Sequence, residues 1–70
     1  MTQRADFSNG GYVVHKIAPP GVRCRASAWF DASGSLLDAE LIDRRDRSRQ
    51  VKRGGPVWRF ISRIYGAKTP

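Results

Sequence analysis

The stretch VRCRASAWF, residues 22 to 30, constrains the fold more than any other, because its side chains alternate in character along nine positions. A period of two belongs to an extended strand lying on a packed layer. It predicts Val22, Cys24, Ala26, Ala28 and Phe30 on one face and Arg23, Arg25, Ser27 and Trp29 on the other. A strand needs partners, and both flanks supply them. Upstream, Tyr12 to Ile17 is rich in β-branched and aromatic residues and ends at Ala18-Pro19-Pro20-Gly21, a turn signature. Downstream, Asp31-Ala32-Ser33-Gly34 reads as a four-residue hairpin loop, with Asp able to accept from backbone amides and Gly tolerating positive φ. The third strand follows from Ser35 to Asp43.

The last element has a different period. In PVWRFISRIYG the residues Val57, Trp58, Ile61, Ile64 and Tyr65 recur at helical spacing, with Arg59 and Arg63 on the opposite side. Pro56 suits the first helical turn and Gly66 the position after the last. The expected fold is therefore α+β: a three-stranded antiparallel sheet with one C-terminal helix packed on one face, in the order β-β-β-α. Residues 1–10, closing on Asn9-Gly10-Gly11, read as a flexible arm. Residues 11–66 form a single small domain and 67–70 a tail.

Hydrophobic matching sets the expected registers. Placing Phe30 opposite Ser35 brings Ala28 to Leu37, Ala26 to Ala39 and Cys24 to Leu41, with Arg25 facing Glu40 and Ser27 facing Asp38 as charge and hydrogen-bond partners. Placing Ile17 opposite Val22 brings Val13 and His15 to the core side and leaves Tyr12, Val14 and Lys16 on the outer face.

Charge then decides the class of partner. The chain has 70 residues and a formal net charge of +7, with thirteen Lys and Arg against six acids. Ten of the thirteen bases are Arg, whose fork matches phosphate and carboxylate bidentately. The bases are concentrated: Arg44, Arg45, Arg47, Arg49, Lys52 and Arg53 stand within ten positions alongside one acid, Asp46. Together with Arg59 and Arg63 on the helix, and Lys16, Arg23 and Arg25 on the outer sheet face, they are the candidate anion-binding set. Trp29 and Tyr12 are the candidates for base stacking or for an interface.

No motif specifies a reaction. His15 and Cys24 fall side by side in the expected register, yet zinc wants four ligands and this chain has one His and one Cys, so no metal or other cofactor is expected. Asp38, Glu40, Asp43 and Asp46 all have basic neighbours and read as charge compensation, and the glycine pairs do not match a nucleotide-binding loop. The expectation is a non-enzymatic nucleic-acid-binding protein, DNA ahead of RNA, anchored on phosphates by the Arg-rich loop. Three strands and a helix is an arrangement some DNA-binding domains use, an analogy of fold alone. The alternative is an accessory or inhibitor protein of the phage or plasmid type that binds an acidic or nucleic-acid-bearing protein complex, with Val14, Trp29, Leu36 and Ile42 as the seam of a homodimer. No stretch is long and apolar enough for a membrane span, and a single cysteine cannot make an internal disulfide. A cytoplasmic location with no membrane partner is expected.

Overall fold

A computed structural model describes residues 2–66; the expected tail at 67–70 lies outside the described residues. The elements are β1 (Gln3–Asp6), β2 (Tyr12–Ile17), β3 (Arg25–Phe30), β4 (Leu36–Ile42), β5 (Ser48–Gln50) and α1 (Pro56–Tyr65). The strands form one antiparallel sheet in the order β1-β2-β3-β4-β5, each paired with its neighbour in sequence. The α+β class, the antiparallel sheet and the C-terminal helix agree with expectation, but the sheet has five strands rather than three. The stretch expected to be a loose arm supplies β1, and the basic run supplies β5.

Both added strands come from one turn used three times. At Phe7–Gly11, Asp31–Ser35 and Asp43–Arg47 the first residue's N–H donates to the fifth residue's carbonyl, at 2.8, 3.0 and 3.1 Å. In each, the fourth residue's N–H donates back to the first residue's carbonyl, at 3.1, 3.0 and 3.1 Å. The fourth residue takes a left-handed conformation, with φ of +91° at Gly10, +87° at Gly34 and +59° at Asp46. This is a tight hairpin loop closed by a left-handed residue, and Asp is among the few non-glycine types that adopt that conformation readily.

Two bulges decide which side chains face the helix. In β2, His15 and Lys16 together oppose the single residue Ser27, and Lys16 takes a φ of +59°. The extra residue puts Tyr12, Val14 and Ile17 on one face. In β4 the register slips at Leu37, so Leu36 packs toward the core with Ala39 and Leu41, and Leu37 is half exposed. Helix α1 covers this face. Ile61, Phe30 and Ile17 are the largest fully buried side chains, and Val57, Trp58, Phe60 and Tyr65 pack around them. Tyr12 stacks on Phe30 at 4.7 Å and its hydroxyl donates to the Tyr65 carbonyl at 2.8 Å, tying β2 to the end of the helix. There Gly66 is required by space: a Cβ would come within 2.4 Å of the Ser62 carbonyl and 2.9 Å of the Gly34 carbonyl.

The expected registers need correction. Ile17 pairs with Ala26, not Val22, because residues 18 to 24 form a seven-residue connection through Pro19 and Pro20 in which Val22 and Cys24 belong to no strand. Ala28 pairs with Ala39 and Ala26 with Leu41, a shift of two residues that preserves the faces. Arg25 accordingly faces Ile42, and Glu40 faces Ser27. Tyr12 and Val14 point to the helix and Val13 and His15 away from it, the reverse of expectation: Val13 and Val14 are both buried, so alternation in β2 carries no sign. With Val14 and Leu36 on the covered face, the expected dimer seam does not exist as one surface.

Candidate nucleic-acid interface

The long connection between β2 and β3 and the β4–β5 turn meet at one end of the sheet. Pairing of Arg25 with Ile42 sets the start of β3 beside the end of β4, so Arg23 and Cys24 lie against the turn that begins at Asp43. Between them is a surface cleft of about 390 Å³ lined by Arg23, Cys24, Asp43, Arg44, Arg45 and Arg47. A second hollow of about 250 Å³ continues it over Arg25 and Ile42, and a third of about 370 Å³ reaches Ser48 and Arg49. Lys16, held out by its bulge, borders Arg25 on the outer face.

Asp43 is the one carboxylate in this wall, and it is committed to the backbone. Its Oδ1 accepts from the Arg45 amide at 2.8 Å and the Arg47 amide at 3.0 Å. Among the described residues the single salt bridge is Arg4 to Asp6 on the first strand, and neither residue lines the cleft. Arg23, Arg44, Arg45 and Arg47 line the cleft and Arg25 the hollow beside it, all of them exposed and, among the described residues, outside any salt bridge. Five arginines against Asp43 and Asp46 leave this end of the sheet positive, and grouped guanidinium groups outside any salt bridge favour an anion that can accept several hydrogen bonds at once.

The other expected site residues are dispersed. Arg53 is occupied: it donates to the Leu37 carbonyl at 2.8 Å and lies over the Trp58 ring at 4.8 Å, securing the link between β5 and α1. Lys52 stands beside it at the start of that link, near Gly55 and Pro56. Arg59 and Arg63 are exposed on α1, on the opposite face of the sheet from Arg25 and Trp29. The basic run is thus divided between two places, because β5 carries it away from the turn and back along the sheet.

Trp29 lies half-buried on the open face, edge-on to His15 at 6.3 Å between centroids. Its cross-strand neighbours are Val13 and Asp38, and Glu40 follows on the same face, so the centre of that face carries acid where the expectation had a stacking platform among bases. Tyr12 is 7% exposed within the core, which removes it from any stacking surface. His15 sits beside Ser27 rather than Cys24, with Nδ1 and Oγ 2.9 Å apart. Glu40 lies across Ser27 from His15, so the serine stands between the histidine and that carboxylate.

Sequence reasoning missed two members of the cleft. Asp43 was readable, since Asp43-Arg44-Arg45-Asp46-Arg47 repeats the Asp-first, left-handed-fourth pattern of the Asp31 turn. Cys24 was not, because its placement depends on the length of the proline-containing connection. Comparison with protein-family models, curated proteins and solved structures finds no match for this chain.

Proposed function

We propose that this protein binds nucleic acid, double-stranded DNA in preference to RNA, through the basic end of its sheet and without a chemical step. One observation carries this reading: Arg23, Arg44, Arg45 and Arg47 line a single cleft whose one lining carboxylate is spent on backbone amides. In this reading the guanidinium forks take phosphate oxygens, which supply most of the affinity, and Ser48 and Gln50 beside them donate further hydrogen bonds. The β4–β5 hairpin ends in Arg44 and Arg45, and a two-stranded ribbon fits the width of the major groove. Asp38 and Glu40 on the open face repel phosphate, confining contact to the end of the sheet.

The test is binding to labelled double-stranded DNA, single-stranded DNA and RNA across a salt series. Five arginines at the sheet end correspond to a slope of log K against log salt of about −4.5 on duplex DNA if each neutralises one phosphate. Changing Arg44, Arg45 and Arg47 to Ala removes more than half of that slope. The matched control, Lys52, Arg59 and Arg63 changed to Ala, loses the same charge from other surfaces and keeps it. Equal flattening by both triple variants, or no binding at low salt, overturns the proposal.

A further inference from the structure

We infer that β1 is a self-complementary edge through which two copies of this chain pair, antiparallel, into one continuous sheet. Strand β1 closes one side of the sheet with nothing beyond it among the described residues, and all four of its residues are exposed. Its hydrogen-bonding parity follows from the adjoining turn. The Phe7 amide points to Gly11 across the hairpin, so Ala5 and Gln3 also turn their backbone groups toward β2. Arg4 and Asp6 present theirs outward.

Two-fold pairing must match outward residues with outward residues, which leaves three centres. Centring on Arg4 sets Arg4 against its own copy, and centring on Asp6 does the same for the acid. Centring on Ala5 alone places Arg4 opposite the partner's Asp6, and Asp6 opposite the partner's Arg4. That register completes four backbone hydrogen bonds and forms two opposite-charge cross-strand pairs. The side chains are prepared for it. Within one chain Arg4 donates through both Nε and Nη2 to a single oxygen of Asp6, Oδ1, at 3.1 and 3.0 Å, leaving the second carboxylate oxygen for a neighbour. The Arg4 guanidinium is held over the Tyr12 ring at 4.1 Å, so it is already ordered. On the other face, small Ala5 meets its copy at the close, non-hydrogen-bonded position. Phe7, one of the few large apolar side chains left 44% exposed, falls beside the partner's Gln3.

The test is sedimentation of the full chain over a dilution series, with the fold of each variant checked by circular dichroism. Wild type shows reversible dimerisation. Arg4→Asp and Asp6→Arg each turn two attractions into two repulsions and weaken association at least about tenfold. Mixing these two variants restores association, because the edge of one is then acidic at both outward positions and the edge of the other basic at both. The double exchange R4D/D6R restores it within one chain. Ala5→Cys in a Cys24→Ser background oxidises to a covalent dimer, and Gln3→Cys in that background does not. A wild type that stays monomeric throughout overturns the inference, as does a mixture that associates no better than either variant alone.

Discussion

Replacing Asp43 separates the two things this residue does, shaping the basic turn and lowering its charge. Its Oδ1 accepts two amide hydrogens, from Arg45 and Arg47. Each bond contributes roughly 1 kcal/mol net, so Asp43→Ala costs about 2 kcal/mol. In a domain this small that lowers the thermal midpoint by roughly 10 °C. Asp43→Asn keeps an acceptor in place and stays close to wild type. Charge acts in the other direction: a carboxylate about 6 Å from a bound phosphate opposes it by about 0.7 kcal/mol in water, so Asp43→Asn tightens anion binding about threefold at low salt. Asp43→Ala gains the same charge but loosens the turn, and binds more weakly than the Asn variant. Asp31 is an internal control, since it makes the same bonds at the opposite end of the sheet, to Ser33 and Ser35. Asp31→Ala lowers the thermal midpoint in the same direction and leaves DNA binding alone. The assays are thermal denaturation by circular dichroism and fluorescence anisotropy on a labelled duplex. If Asn and Ala at position 43 melt together, well below wild type, charge rather than the acceptor organises the turn. That outcome refutes a turn organised by the two amide hydrogen bonds.

Arg53→Ala loses the bond to the Leu37 carbonyl and the Trp58 contact, costing about 1 to 2 kcal/mol in denaturant unfolding. It leaves the slope of DNA affinity against salt unchanged. At position 46, where φ is +59°, Asp46→Gly holds or raises the thermal midpoint, while Asp46→Ala lowers it through a strain of roughly 1 kcal/mol in the folded state. Asp31 has its pKa held below the ordinary 3.8, chiefly by the Ser33 hydroxyl and then by the Ser35 amide. A carboxylate whose pKa is depressed by folding contributes stability that is present above its unfolded value and lost as pH falls through the lower, folded one. Acid titration of stability therefore declines below about pH 4, and Asp31→Asn flattens that decline.

The helix was legible because Pro56, the apolar spacing and Gly66 agree with one another. The β3–β4 hairpin was legible because Asp31 and Gly34 each have a single local reason to be where they are. Strands β1 and β5 were hidden by length and composition: Gln3–Asp6 and Ser48–Gln50 hold no large apolar residue, and their existence rests on turns rather than on burial. Asn9-Gly10 and Asp43-Asp46 carried the signal, read as looseness in one case and as a charge run in the other. The register across β2 and β3 is a longer-range matter. Nothing local to Pro19 and Pro20 says that the chain needs four further residues, Gly21 to Cys24, before it re-enters the sheet at Arg25 and pairs Ala26 with Ile17. That length is also what carries Arg23 and Cys24 to the turn, so the composition of the cleft was unreadable for the same reason as the register.

The two edges of the sheet are built on opposite principles. An exposed edge is a template for a further strand unless shortness or charge of one sign prevents it. Strand β5 has both protections: it is three residues long, carries Arg49, and has Arg47 before it and Lys52 beyond it, so a second copy centred on Ser48 or Arg49 sets arginine against arginine. The same charges that close this edge to another copy attract an anion to the adjoining end of the sheet. Strand β1 has no net charge, and its Arg and Asp are spaced so that reversal maps one onto the other. Self-association at β1 leaves β5 and the Arg44–Arg47 turn free, since three strands separate β1 from β5, and the basic end comes nearest to β1 where Gln3 borders Lys16 and Arg25. Dimerisation and anion binding therefore act at separate surfaces, and a charge reversal at Arg4 weakens the first without entering the cleft that serves the second.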